Sequence, residues 1–179
     1  MNDTDAITAE RRDLLEALAA HRGLLLRTAQ GLTDEQAAMT PTASALSVGG
    51  IIKHVAATEG SWATFVRTGS MPWADAGMDW SNPDPAMVAA YLDGFRMLPG
   101  ETLAGIVEQY AEVAAATDEL VATLPDLDVA HPLPTAPWFP PGSTRSARRA
   151  FVHIVAETAQ HAGHADIIRE TIDGQKTMG

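Results

Sequence analysis

Apolar residues recur at helical spacing through four long stretches of this chain, and nowhere do they alternate with polar residues convincingly enough to make a strand. The first stretch, from Asp5 to Leu32, carries Ile7, Leu14, Leu15, Leu18, Leu25 and Leu26, and Gly31 ends it. The second opens at Ser47, whose side chain can accept from the free N–H groups of a helix start, and runs to about Arg67. The third, Glu101 to Leu124, is rich in alanine; Leu103, Ile106, Val107, Tyr110, Val113, Leu120 and Val121 form its apolar face and Pro125 stops it. The fourth is capped by Ser143 or Thr144 and ends at Gly174, with Phe151, Ile154, Val155, Ile167 and Ile168 supplying its apolar face. Four such helices can bury their stripes only against one another. The fold class predicted is therefore all-α, a four-helix bundle with long loops and a short extra helix.

The connections are distinctive. Thr33-Asp34-Glu35-Gln36 reads as a capped short turn. Between Thr68 and Pro85 lie Gly69, Pro72, Gly77, Asn82 and Pro83 together with Trp73 and Trp80, a loop whose large apolar side chains suit a cover over something. Asp84 and Pro85 look like the cap and first residue of the short extra helix, which ends near Pro99-Gly100. From Pro125 to Ser143 the density of prolines, with Trp138 and Phe139 among them, predicts a long crossover with neither helix nor strand.

A chain of 179 residues suits one domain spanning 1–179, large enough to bury a core without staples. Cysteine is absent, which rules out disulfides, zinc–thiolate clusters and a cysteine nucleophile and fits a cytoplasmic location. The formal net charge of −11 opposes binding to nucleic acid. The apolar runs are too short to span a bilayer, so no membrane partner is expected. Arg145, Arg148 and Arg149 form a small basic concentration, read either as solvated arginines paired with nearby carboxylates or as an anion-binding group beside a site.

The strongest chemical signal is in the fourth helix, where His153, Glu157, His161 and His164 follow one another at spacings of four, four and three residues. At about 100° per residue they share a stripe about 80° wide. That stripe borders the apolar face, so its carboxylate needs solvent, a cation or a basic partner. His153 and His164 are about 16 Å apart along the axis and cannot easily bind one ion, which makes Glu157 and His161 the better pair. His54, on the apolar second helix, can add a third donor from a neighbouring helix of the bundle. His21 and His131 have no partner pattern and read as structural or exposed.

Two segments carry a family resemblance: Ser47 with His54 followed by Glu59-Gly60-Ser61-Trp62, and Glu157-x3-His161-Ala162-Gly163-His164. Together they resemble the DinB-like superfamily, four-helix bundles whose divalent metal is held by one histidine of the second helix and two residues of the fourth. That family commonly has H-x3-H followed by R-G-Q. Here Glu157 replaces the first of those histidines, as in the metal-binding domain of mycothiol-dependent maleylpyruvate isomerase. The resemblance implies His54, Glu157 and His161 as ligands of a divalent ion, zinc first, with nickel, iron or manganese as alternatives. It also implies a low-molecular-weight thiol such as mycothiol as co-substrate and a small-molecule electrophile as substrate. His164 would then orient the thiolate or shuttle a proton as the catalytic residue, and Trp73, Trp80, Trp138 and Phe139 would wall the pocket. A thiol S-transferase or isomerase is the leading reading. A metal-dependent hydrolase and a non-enzymatic small-molecule-binding or interaction bundle remain the alternatives, and a homodimer through a helix face is compatible with each.

Overall fold

The computed structural model describes residues 7–177. Four long helices form the bundle: α1 (Ala9–Ala29), α3 (Val48–Thr68), α6 (Leu103–Thr123) and α7 (Ala147–Asp173). Short helices α2 (Asp34–Ala38), α4 (Pro72–Asp75) and α5 (Pro85–Asp93) lie in the connections, and strands β1 (Ala130–Pro132) and β2 (Thr144–Ser146) pair in the last crossover. α7 packs against α1 and α3, and α6 against α3 and α1, so the four form a closed ring around one core.

Helix boundaries follow from side chains that satisfy the free N–H groups of each first turn. Thr8, Ser47, Thr102 and Ser146 each accept from a backbone N–H three residues on, and Thr33 with Gln36 makes a reciprocal capping box ahead of α2. Gly69 and Gly174 end α3 and α7 in the left-handed conformation, at φ 76° and 78°. The first predicted helix is shorter than expected, and Asp5 lies outside the described residues. Asp84 and Pro85 open α5 as predicted, although it stops at Asp93 rather than near Pro99.

Three expectations are overturned. The crossover holds a strand, because Ala130–Pro132 pairs antiparallel with Thr144–Ser146. Three residues are too few to show alternation, and Pro132 argues against a strand except where no N–H is needed. The same pairing moves the cap of α7 from the expected Ser143 or Thr144 to Ser146. Ile167, read as part of the α7 apolar face, is 62% exposed, since it lies about 100° round the helix from the buried Ile168 and about 140° from Ile154.

The core has two lobes. One gathers Leu25, Val48, Ile51, Ile52, Val55, Ile106 and Ile168; the other gathers Leu18, Trp62, Phe65, Val121, Phe151 and Ile154. Burying each of the larger side chains contributes about 1.5–3 kcal/mol. Between them runs an ion pair: Arg22 of α1, 6% exposed, donates from Nε at 3.2 Å and Nη2 at 2.5 Å to Glu59 of α3, 1% exposed, and from Nη1 at 2.8 Å to Asp118 of α6. At the C-terminal end of α1, Arg169 of α7 donates to the free carbonyls of Thr28 and Gln30 at 2.8 and 2.7 Å and also binds Asp173.

Removing one partner of a buried pair strands the other charge. Glu59→Ala is expected to destabilise the fold by about 3 kcal/mol in urea denaturation, whereas Arg22→Met with Glu59→Leu recovers most of that loss. Equal destabilisation by the double and single replacements would show that the pair is needed for more than charge balance.

Candidate functional site

The bundle presents His153 and Glu157 of its polar stripe, but not His161, to a cavity of about 870 Å³ lined by α3, α5, α7 and the two tryptophan-bearing connections. His54 lies on α3, seven residues after the Ser47 cap. Its ring stacks on Phe95, with centroids 3.9 Å apart and planes at 20°, and meets the His161 ring of α7 edge-on at 4.9 Å. The Phe95 turn reaches α3 because Gly50 has no side chain: a Cβ there would stand 2.0 Å from the Phe95 carbonyl oxygen. Sequence reasoning passed over Phe95, and the Gly49-Gly50 pair is the signal of close approach that could have found its neighbourhood.

On α7 the one-turn spacing brings the stripe together. Glu157 Oε1 lies 3.4 Å from His153 Nε2, and Oε2 lies 3.6 Å from His161 Nε2. His161 Nδ1 is buried without a hydrogen-bond partner. His164 is exposed, edge-on to His161 at 5.7 Å between centroids, and does not line the cavity. His153 does line it, packed edge-on against Trp62 at 4.9 Å. His131 is structural, its Nε2 3.3 Å from the Val66 carbonyl.

Burial, and then the neighbouring His161, push the His54 pKa down from 6.5 to about 4 against the pull of Glu157. Burial likewise lowers that of His153. Glu157 is held below the ordinary carboxylate range chiefly by its contact with His161. The site therefore offers a neutral His54 and an ionised Glu157 near neutral pH. These are the protonation states in which the two donate to a metal. The donor chemistry of His54, Glu157 and His161 thus fits a divalent ion, although among the described residues no three His, Asp or Glu side chains converge on one point as they stand.

The remaining walls are aromatic, and Phe95, which does not itself line the cavity, links them to His54. Phe95 contacts Tyr91 at 5.1 Å, Tyr91 contacts Trp80 at 5.2 Å, and Trp80 contacts Trp138 at 4.9 Å. The line continues through Phe139 at 5.9 Å and Trp62 at 6.3 Å to His153. With His54, His161 and Glu157 this makes a closed belt of side chains. Trp73, Trp80, Trp138 and Phe139 all line the cavity, as the sequence suggested, because the loop after α3 and the crossover before α7 meet over it.

The basic cluster divides. Arg148 pairs with Glu10 and Asp128, whereas Arg145 lines the cavity. No helix among the described residues is long and apolar enough to cross a membrane.

Bundle, ring order and cavity together define a helical-bundle protein, and the family match below places it in the DinB-like superfamily. Within that class, residues 13–174 match the mycothiol-S-transferase family, and the chain belongs to it. A conserved protein from Enterococcus faecalis, known from its crystal structure, shares the fold at 14% identity and a TM-score of 0.68, over 95% of this chain and 100% of that one. No curated protein matches the sequence.

In metal-free protein, unfolded His54 takes up a proton near pH 6.5 while the folded residue stays neutral down to about pH 4. The unfolded state therefore binds more protons between those values, and stability falls as pH drops from 6.5 to 4. Urea midpoints measured across that range should show a smaller fall in His54→Gln than in the parent; parallel curves would place His54 in a solvated setting.

Proposed function

We propose that this protein is a metal-dependent thiol S-transferase that joins a low-molecular-weight thiol of the mycothiol type to a small electrophile. The observation that carries the reading is the meeting of His54 on α3 with His161 and Glu157 on α7, with His54 and Glu157 on the wall of an aromatic cavity, in a chain of the mycothiol-S-transferase family. His54, Glu157 and His161 would hold a divalent ion, with zinc suited to the donor set and nickel, iron or manganese compatible with it. When bound, that ion would supply positive charge that favours the thiolate over the thiol. The chain has no cysteine, so the thiol comes from outside.

The residues of the chain do the rest. The aromatic belt supplies apolar walls that hold an apolar electrophile against the His/Glu wall. His153, neutral and on the cavity wall beside Glu157, is the group we assign to accept the thiol proton. His164, exposed on the flank of His161, is left to orient that ring. In the transfer, sulfur forms a bond to the electrophilic carbon, the leaving group departs with its electron pair, and the thiol proton goes to His153 and then to solvent. A cytoplasmic location, where such thiols are abundant and reduced, is consistent with this reading, and a homodimer is compatible with it.

Metal analysis of untagged protein purified without chelators tests the assignment. Near-stoichiometric metal is expected in the parent and loss in His54→Ala, Glu157→Ala and His161→Ala, together with conjugation of mycothiol to 1-chloro-2,4-dinitrobenzene by the parent. A parent that holds no metal after incubation with Zn²⁺, Ni²⁺ or Mn²⁺ would leave a ligand-binding bundle.

A further inference from the structure

Arg145 stands in the wall of the cavity with nothing to answer its charge. Strand register pairs it with His131, so both side chains leave the ribbon on the same side, towards α3. His131 reaches Val66, and the Arg145 guanidinium lies over the Trp62 ring at 4.6 Å and 5.5 Å from the Phe139 ring. The two rings attract the cation through their faces and offer its N–H groups no acceptor. Nη1 is buried without a hydrogen-bond partner, and among the described residues no carboxylate lies within ion-pair distance.

Scarcity of acceptors is not the reason, since the chain carries a net charge of −11. Every other buried or half-buried arginine has oxygen partners. Arg11 donates to the Val121 and Leu124 carbonyls, Arg22 to Glu59 and Asp118, Arg148 to Glu10 and Asp128, and Arg169 to Asp173 and two carbonyls. Burial and the neighbouring Arg149 both act against the charge of Arg145. A second donor on the same wall, the Trp80 indole N–H, is also buried without an acceptor. Native proteins seldom leave such groups unpaired, and an acceptor that arrives with a ligand explains both.

We propose that Arg145 binds a carboxylate carried by the electrophilic substrate. Its planar, unpartnered guanidinium can match a carboxylate in bidentate fashion, and the aromatic belt suits an apolar body attached to it. The cavity thus takes an aromatic or other apolar carboxylic acid, oriented with its anionic end at β2 and its remainder towards His153 and Glu157. This substrate class rests on the thiol-transfer reading, but the binding step does not.

Isothermal titration of 1-naphthoate and the uncharged 1-naphthamide, with and without EDTA, tests the inference in the full-length protein. Naphthoate is expected to bind the parent at least about tenfold more tightly than the amide, with or without chelator. Arg145→Gln should abolish that difference, Arg145→Lys should restore part of it, and unchanged near-ultraviolet circular dichroism should show that both variants are folded. Equal binding of the two probes to the parent would overturn the proposal. So would a preference that survives Arg145→Gln but vanishes with EDTA or in Glu157→Gln, which would place the carboxylate on the ion. In turnover with mycothiol, Arg145→Gln should raise KM for a carboxylated electrophile and not for the thiol; a rise for the thiol alone would assign Arg145 to the other substrate. Failure to turn over would remove the thiol-transfer reading and leave the binding result standing.

Discussion

The packing of α3 between α6 and α7 is the constraint on which the rest of the structure depends. α3 supplies core residues to both lobes, Glu59 to the buried ion pair, His54 to the polar stripe and Trp62 to the aromatic belt. Successive turns of one helix serve these different roles, so a rotation or slide of α3 would disturb all of them together. The Arg22–Glu59–Asp118 contact opposes such movement because it ties α1, α3 and α6 at one level. A buried ion pair gains little over apolar residues in stability. Its directional bonds nevertheless favour one register among those that apolar packing alone would tolerate.

The crossover before α7 would be a loose flap without the β1–β2 ribbon. His131 holds that ribbon down on the end of α3, where Gly69 has room for it: a Cβ at that position would lie 2.9 Å from His131 Nδ1. The same ribbon aims Arg145 at Trp62. A structural contact and a candidate ligand contact are thus two residues of a single strand register, and disturbance of the first should be felt at the second.

Much of the bundle was legible because helix periodicity, caps and stop signals are local. Ser47, Thr33, Asp84, Pro85 and Gly174 all act at the helix ends where their chemistry suggested. The errors arose where partners distant in sequence decide the outcome. Ala130–Pro132 becomes a strand because Thr144–Ser146 lies beside it, and Ile167 is exposed because the helical phase of α7 is set by Phe151, Ile154 and Ile168. The stripe of His153, Glu157 and His161 could be read from spacing, but spacing does not say which member faces a cavity. His153 does and His164 does not, since the floor of the cavity is formed by Trp62 and His54 on the neighbouring helix.

By itself the sequence determined that this chain forms four amphipathic helices, that one of them carries a His/Glu stripe and that its loops carry tryptophans, since each depends on residues within a few turns of one another. Only the tertiary structure decided that His54 meets His161, that loops far apart in sequence close an aromatic belt, and that Arg145 remains unpaired while Arg148 does not. Those outcomes turn on which surfaces come together when the core is buried. Burial also changes the chemistry of the residues involved: it is what keeps His54 neutral and leaves the charge of Arg145 without an answer from the protein.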